Sequence, residues 1–453
     1  MQLRRMLTVL FISFLALICF VPEAIAFCGF YVSKADSSLY NKASQVIIAR
    51  EGSRTILTMA NDFQGDVKDF AMVVPVPTIL QQDQVRLGDA KIIQRLDAFS
   101  APRLVEYFDS DPCQVVYPAA PSMNSTVRGG LAQERSRPEN ADGVTIEAQF
   151  SVGEYDILML SATESNGLET WLNQNGYKMP PGASSLLRPY IQQNLKFFVA
   201  KVNLAEFQRS SSQFLRPLMM AYESPRFMLP IRLGMINATD QQDLIAYVLS
   251  STGQAEITNY RTVKVPTDAE IPVYVKEKFG DFYKSMFQTS YDRENQNVAF
   301  VEYAWNMSNC DPCSANPLTP EELRGAGVFW LNQNPTDGRG IRRPNNSNNN
   351  VFITRLHVRY TRDKFPEDLM FQETSNQQQF QGRYILRHPF KGAVSCAAGQ
   401  EYQRNLGNRL DREAQTLARL TNWDINDIRR NLPQISVEPV PFWRNIWDTI
   451  RGR

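Results

Sequence analysis

The segment Val298–Cys313, VAFVEYAWNMSNCDPC, reads as a buried strand that ends in a Cys-Asp-Pro-Cys tetrapeptide. A shorter copy, LVEYFDSDPC, occurs earlier at Leu104–Cys113. In both copies a run of apolar, β-branched and aromatic residues precedes residues that favour a turn, which is the pattern of a strand followed by a loop. The repetition predicts that one β-rich unit occurs twice in the chain.

Further segments repeat in the same order. Leu244–Ser250 and Ala255–Val265 repeat a predicted hairpin at residues 45–60, and the helical spacing of Lys276–Phe287 repeats that of Leu87–Phe99. This shared order predicts an internal duplication. The alternative is that β-rich segments resemble one another by composition alone.

We therefore predict an α+β, β-rich protein of two related mixed-sheet halves, residues 27–240 and 241–397, followed by a helical tail at 398–453. The chain has 453 residues, and at roughly 100 to 200 residues per domain it is long enough for two or three domains with a sizeable core. The polar segments 117–143 and 336–350 are predicted to be exposed loops, and the first of them to be mobile.

The first 26 residues have the composition of an export signal. Arg4 and Arg5 precede an apolar run, Met6–Val21, and a small-residue cleavage site, Ala24–Ala26. This pattern predicts a signal peptide that is removed. A membrane anchor is the alternative, but the apolar run is shorter than the roughly 20 residues that span a bilayer. We expect an exported protein, periplasmic or secreted, that is soluble after cleavage.

Charge and composition narrow the range of partners. Lysine and arginine number 48 against 47 acidic residues, which gives a formal net charge of +1, and no block of like charge dominates. Nucleic-acid binding usually requires a basic patch or stripe, so we expect no nucleic-acid partner. A content of 43% hydrophobic and 21% charged residues is ordinary for a globular chain.

Cysteines are the clearest chemical feature of an exported chain. In an oxidising compartment, five cysteines outside the leader predict two disulfides and one free thiol, with fifteen possible pairings. Because Cys113 and Cys313 hold equivalent places in the two copies, we expect each to form a disulfide within its own half. Cys28 is then the expected partner of Cys113, and Cys396 that of Cys313 or Cys310.

The pair Cys310 and Cys313 admits three interpretations. A thiol–disulfide active site would place the first thiol at a helix amino terminus, which lowers its pKa, but the first convincing helix begins only near Leu318. A metal site would need two more closely spaced ligands, and none is present. Structural disulfides are the third interpretation, with Asp111-Pro112 and Asp311-Pro312 forming turns that present the next cysteine.

Two histidines limit the catalytic options. His357 alternates with apolar neighbours and is predicted to share one strand face with Arg355 and Arg359, while His388 ends a strand. Neither accompanies a nucleophile motif such as Gly-x-Ser-x-Gly, so a hydrolase is unsupported. The carboxylate pairs at 109/111 and 321/322 are explained by turn formation and helix capping.

The C-terminal residues change in character. Gln400–Leu420 has the apolar spacing of an amphipathic helix, and Asn426–Leu432 that of a short second one. In the terminal segment, Phe442, Trp443 and Trp447 fall on one helical face. Such a face predicts either peripheral contact with a membrane or docking on the protein itself or on a partner.

Taken together, several motifs resemble the family of exported bacterial proteins called domain of unknown function 2330. The similar segments cover nearly everything from residue 27 to 396; they are FCGF from Phe27, FAMVVPVP from Phe70, GLETWLNQNGY from Gly167, KFFVAKVNL from Lys196, LPIRLG from Leu229, CDPC from Cys310, TRLHVRY from Thr354 and GRYILRH from Gly382. This resemblance implies export but no reaction, cofactor or ligand. Some members of the family end in a membrane segment, whereas this chain ends in the short predicted helix that contains Trp443 and Trp447.

We therefore expect a non-enzymatic envelope or secreted protein that binds an unknown ligand or envelope partner or has a structural role. No cofactor and no metal site are expected. The alternatives are a thiol–disulfide oxidoreductase that uses Cys310 and Cys313, and a hydrolase without a recognisable motif.

Overall fold

A computed structural model describes residues 30–33, 43–60, 70–113, 145–162, 165–175, 183–209, 215–236, 241–309, 311, 315–332, 350–392, 394 and 396–433. Several predictions lie outside these residues. They are the leader at 1–26, the loops at 117–143 and 336–349, the terminal segment with Phe442, Trp443 and Trp447, and the residues Cys28, Cys310 and Cys313.

Within the described ranges the chain forms twenty strands and eight α-helices. The strands are β1 (Phe30–Ser33), β2 (Ala43–Glu51), β3 (Arg54–Met59), β4 (Phe70–Val76), β5 (Val85–Leu87), β6 (Arg103–Phe108), β7 (Thr145–Val152), β8 (Tyr155–Ser161), β9 (Lys196–Val202), β10 (Leu218–Glu223), β11 (Met228–Leu229), β12 (Gln242–Ser250), β13 (Ala255–Ile257), β14 (Arg261–Lys264), β15 (Ala269–Ile271), β16 (Val298–Asn306), β17 (Phe352–Tyr360), β18 (Leu369–Glu373), β19 (Phe380–Gln381) and β20 (Arg383–His388). The helices are α1 (Ala90–Ser100), α2 (Ser165–Gln174), α3 (Ala183–Gln192), α4 (Leu204–Arg209), α5 (Phe279–Arg293), α6 (Pro320–Gly325), α7 (Ala397–Thr421) and α8 (Ile425–Arg430).

Four sheets organise these strands. A nine-stranded sheet has the order β14-β16-β17-β12-β2-β3-β10-β5, with β19 paired to β16. A five-stranded sheet has the order β1-β4-β9-β8-β7, and two three-stranded sheets have the orders β11-β18-β13 and β15-β20-β6. The prediction of an α+β fold with mixed sheets and a helical C-terminal part is therefore confirmed.

Alternation of side chains along the strands separates the two main apolar layers. On β12, Leu244 and Val248 enter the largest core cluster, which also contains residues of β4, β8 and β9 and so lies between the nine- and five-stranded sheets. Tyr247 and Leu249 point to the other face, where α1 and the segment around Val328 cover them. Residues i and i+2 share a face of a strand, so one strand contributes to both layers.

Turn and cap residues fix the ends of the elements. Gly52, at a φ of +62°, occupies the first of two loop positions between β2 and β3, where hairpin turns favour glycine. Asp89 caps α1 by accepting a hydrogen bond from the amide of Lys91, and Thr319 forms a capping box with Glu322 at the start of α6. The capping role predicted for Glu322 is confirmed.

Helices α5 and α7 pack on the small sheet β15-β20-β6, whose strands are all parallel. Ile271 and Tyr384 from this sheet form a separate core cluster with Phe282 of α5 and Leu417 of α7. Helix α7 thus packs through an apolar face, in agreement with the amphipathic spacing of Gln400–Leu420. Among the described residues, no helix is both long and apolar enough to cross a bilayer.

The internal duplication is not confirmed by the order of the strands. β6 lies in the small parallel sheet, whereas its expected counterpart β16 lies in the nine-stranded sheet. Strands from both sides of residue 240 share the nine-stranded sheet, in which β2 and β12 pair in parallel at its centre.

Candidate functional site: a buried ion-pair network and a disulfide-linked surface

Three basic side chains lie on one face of β17. The predicted alternation is confirmed, because Arg355, His357 and Arg359 contact one group of acidic partners while Leu356 and Val358 enter the main core. A row of cations on a buried face is unfavourable unless each cation has a partner. The neighbouring strands β12 and β16 and the helix α1 supply those partners.

Glu302 reaches this face because β16 contains a bulge. Val301 pairs with Leu356, and the next pair is Tyr303 with Arg355, so Glu302 is an extra residue on the β16 side. A bulge places two residues of one strand opposite one residue of the other. It therefore brings both Glu302 and Tyr303 next to Arg355.

Glu302 is the central acceptor of the site. Its Oε2 accepts from Arg355 Nε at 2.5 Å, and its Oε1 lies 2.7 Å from His357 Nδ1. The hydroxyl of Tyr283, on α5, also donates to Oε1. Glu302 is only 1% exposed, so these charge-assisted bonds act where water cannot replace them.

Asp243, at the start of β12, is the second carboxylate of the site. It receives Arg359 through two bonds, Nε to Oδ1 at 2.7 Å and Nη2 to Oδ2 at 2.8 Å, and its Oδ1 lies 3.1 Å from His357 Nε2. Both ring nitrogens of His357 are thus occupied by carboxylates. The ring also stacks on Phe287 of α5, with centroids 3.8 Å apart.

The third carboxylate comes from α1. Asp97 accepts from Arg355 Nη1 at 2.6 Å and from the hydroxyl of Tyr247 at 2.9 Å. Asp97 is the more exposed member, since 43% of its side chain is accessible against 8% for Arg355. We call the set Asp97, Asp243, Tyr247, Glu302, Arg355, His357 and Arg359 the sheet-face network.

Charge balance explains the protonation states of the sheet-face network. Burial would raise the pKa of Glu302, but Arg355 and His357 outweigh it and lower the pKa to about 2. Burial would lower the pKa of His357, but Glu302 and Asp243 outweigh it, so the pKa of the imidazole is raised. With His357 protonated, three cations meet three carboxylates. The network therefore holds α1 and α5 against the sheet and leaves no ring nitrogen of His357 for a substrate.

The raised pKa of His357 predicts a pH dependence. A group with a folded pKa above its unfolded value, near 6.5, stabilises the protein fully below that pH, and the contribution is lost as the pH rises through the folded pKa. Urea unfolding should show the stability advantage of the wild type over His357→Gln to be largest below pH 6.5 and to decline at higher pH. An advantage that grows with pH would contradict the assignment of a charged imidazole.

A disulfide joins Cys113 to Cys396, whose Cα atoms are 5.8 Å apart and whose sequence separation is 283. The expected pairing of Cys113 with Cys28 is therefore wrong, and so is the pairing of Cys396 with Cys313 or Cys310. The reason is topological, because β6 pairs with β20 and brings the loop after β6 to the start of α7. The disulfide therefore links the first predicted half to the end of the second, at the start of α7, instead of closing one half.

Local geometry fits this disulfide closely. Asp111 Oδ1 accepts from the amide of Cys113 at 2.8 Å, so the turn predicted for Asp111-Pro112 does present the next cysteine. Cys396 caps α7, its sulfur accepting from the amide of Gly399 at 3.2 Å. A Cβ at Gly399 would lie 2.7 Å from Cβ of Val394 and 3.2 Å from Sγ of Cys113, so glycine permits this close approach.

The strand ends beside the disulfide present aromatic side chains. Phe108 is 72% exposed and Tyr107 43% exposed, which is unusual for two consecutive large residues. Phe108 stacks on His388 at 4.3 Å, and Arg387 lies over the ring of Tyr107. Together with the Cys113–Cys396 pair, these four residues form what we call the disulfide-linked surface.

Acidic and basic groups border the disulfide-linked surface. Glu106 pairs with Lys276 Nζ at 2.7 Å and with His388 Nε2 at 2.7 Å, and hydrogen bonds from both lower its pKa. Asp109 accepts from Arg409 Nη1 and from the Tyr402 hydroxyl, each at 2.6 Å. The surface therefore joins exposed aromatic rings to fixed charges.

The Cys-x-x-Cys motif is described only at Asp311, because Cys310 and Cys313 lie outside the described residues. Asp311 is buried and accepts from the hydroxyl of Tyr303 at 2.9 Å and from Gln381 Nε2 at 2.8 Å. This aspartate is therefore anchored between β16 and β19. The thiol chemistry of the motif stays a prediction.

Sequence reasoning found the basic half of the sheet-face network and missed the acidic half. Glu302 could have been noticed as the single charged residue of an otherwise apolar strand, VAFVEYAWN. Asp97 and Asp243 are not conspicuous in the sequence, because Asp97 lies in an ordinary amphipathic helix and Asp243 lies at the start of a strand. The exposed pair Tyr107 and Phe108 was also missed, since strand ends commonly contain aromatic residues.

Comparisons with known proteins place the chain in a bacterial group. A family model described as an uncharacterized protein conserved in bacteria matches residues 22–372, which is more than half of the chain. No curated protein and no solved structure matches it.

Proposed function

Since the chain belongs to the uncharacterised bacterial family DUF2330, we propose that it is an exported, non-enzymatic protein of the cell envelope or its surroundings, stabilised by a disulfide, that binds a ligand or partner. The observation that carries this proposal is the bond between Cys113 and Cys396. Disulfides persist in oxidising compartments and are rare in the bacterial cytosol. The leader-like residues 1–26 point to the same compartment.

The state of the histidines supports a non-enzymatic role. A general base must reach a substrate proton with a free nitrogen. In His357 one nitrogen faces Glu302 and the other faces Asp243, and in His388 the Nε2 atom is paired with Glu106. Both described histidines are thus engaged in ion pairs, His357 through both ring nitrogens and His388 through Nε2.

The disulfide-linked surface is the proposed binding region. Binding sites commonly combine exposed aromatic rings with charged side chains, because the rings bury large areas at small entropic cost. Phe108 and Tyr107 sit at the end of a strand that the disulfide and α7 hold in place. Binding residues often lie on loops and ends that a rigid scaffold positions in this way.

The experiment compares the full chain with a variant that lacks residues 1–26, both produced in a bacterium. We expect the full chain outside the cytoplasm, beginning at Phe27, with Cys113 and Cys396 resistant to thiol labelling until the protein is reduced. The variant should stay in the cytoplasm with both thiols labelled. A full chain that is retained in the cytoplasm in reduced form would overturn the proposal.

The same labelling separates binding from redox chemistry. In a thiol–disulfide oxidoreductase, Cys310 and Cys313 would be linked to each other and would open under mild reduction, while Cys113–Cys396 resisted it. The proposed function expects no such readily reduced pair. Finding such a pair would instead favour the thiol–disulfide oxidoreductase.

A further inference from the structure

A carboxyl group on α7 lies buried without a hydrogen bond. Glu413 is 1% exposed, and among the described residues neither of its carboxyl oxygens accepts a hydrogen bond. Its ion-pair partner is Arg409, one turn earlier, at 3.4 Å from Nε to Oε1. A buried carboxylate usually receives several bonds, so this arrangement disfavours the charged form.

Arg409 is a weak partner because it is already committed elsewhere. Its Nη1 donates to Asp109 Oδ2 at 2.6 Å, and its Nε and Nη2 make no hydrogen bond among the described residues. The guanidinium is thus oriented by Asp109. Glu413 therefore interacts with the Arg409 guanidinium through charge attraction, without a hydrogen bond.

Charged groups on several neighbouring elements act on Glu413. β15 presents Glu270, β20 presents Arg387, the residue after β6 is Asp109, and α7 itself presents Arg409. Burial raises the pKa of Glu413 to about 7; Arg409 and Arg387 oppose this shift, and Glu270 and Asp109 add to it. With Glu413 charged, the group holds three carboxylates against two arginines.

We propose that α7 is a proton-sensitive latch, in which protonation of Glu413 tightens the helix on the sheet β15-β20-β6 and deprotonation loosens it. The helix starts at the disulfide, so loosening leaves α7 attached at Cys396 while uncovering the apolar side of Leu406, Leu410 and Leu417. Loosening exposes Glu413 to water, where it ionises at an ordinary pH. The free energy of docking therefore depends on pH between the two pKa values.

Hydrogen exchange followed by mass spectrometry tests the latch on the full, oxidised chain. After correction for intrinsic exchange, protection of the α7 amides in the wild type should fall roughly 10- to 30-fold from pH 5.5 to pH 8.5, given a pKa of about 7 when docked and 4.5 when exposed. Amides of β12, at the centre of the nine-stranded sheet, should change less.

Two variants make the result specific. Glu413→Gln keeps the shape of the side chain and removes its ionisable group. Protection of α7 in this variant should therefore be independent of pH and should equal or exceed that of the wild type at pH 8.5. Glu401→Gln, on the exposed side of α7, should retain the full dependence of the wild type. Wild-type protection that is constant across this range, or carbon NMR that finds Glu413 titrating near pH 4.5, would overturn the proposal.

Discussion

Replacing Glu302 by glutamine should lower the free energy of unfolding by about 3 to 5 kcal/mol at pH 7, as expected when one member of a buried ion pair is removed. The change leaves Arg355 and His357 buried without their shared carboxylate. It also removes the acceptor of Tyr283, which fixes α5 on the sheet. Urea unfolding followed by tryptophan fluorescence measures the difference.

An exposed glutamate on another helix provides the matched control. Glu321 has 77% of its side chain accessible, and Glu321→Gln should change stability by no more than about 0.5 kcal/mol. The loss of stability caused by Glu302→Gln should also depend on pH. Its folded pKa, about 2, lies below the unfolded value, so its contribution is present above pH 4.5 and disappears as the pH falls toward 2. If Glu302→Gln and Glu321→Gln unfold at the same urea concentration, the sheet-face network does not stabilise the fold.

The second large effect concerns the disulfide. The double variant Cys113→Ser/Cys396→Ser should be less stable by about 4 kcal/mol, because the bond closes a loop of several hundred residues in the unfolded chain. Serine keeps a capping oxygen at position 396, so the loss reports the covalent link and not the cap of α7. Unfolding in urea under oxidising conditions measures it.

Reductant supplies the control for this variant. Wild-type protein treated with reductant should unfold like the double variant, whereas reductant should leave the double variant almost unchanged. Equal stability of the oxidised wild type and the double variant would show that this bond does not stabilise the native fold.

Strands and helices with strong periodicity could be predicted from the sequence. The hairpin of β2 and β3 and the long helix α7 were expected within a few residues, because each has a continuous apolar pattern and clear end residues. The segment Ala255–Val265 was expected as one strand and is two, β13 and β14, paired with different sheets. Where a strand breaks in this way depends on which distant strands its two parts pair with, and the local sequence pattern does not contain that information.

Contacts between distant segments were the part that could not be predicted. The Cys113–Cys396 bond depends on β6 pairing with β20, and fifteen pairings of the five cysteines were open before that pairing was known. Likewise, the basic alternation of β17 indicated a polar face but not the bulge that brings Glu302 to it. Sequence shows which face of a strand carries charge, whereas register determines what that charge meets.

Non-reducing peptide mapping of the exported protein would show whether a bond from Cys113 to Cys396 closes this fold in an oxidising compartment. We expect a cross-linked pair of peptides that contain these two cysteines and that separates into its components on reduction. Recovery of Cys113 linked to Cys28, or of both cysteines as free thiols in the exported protein, would contradict it.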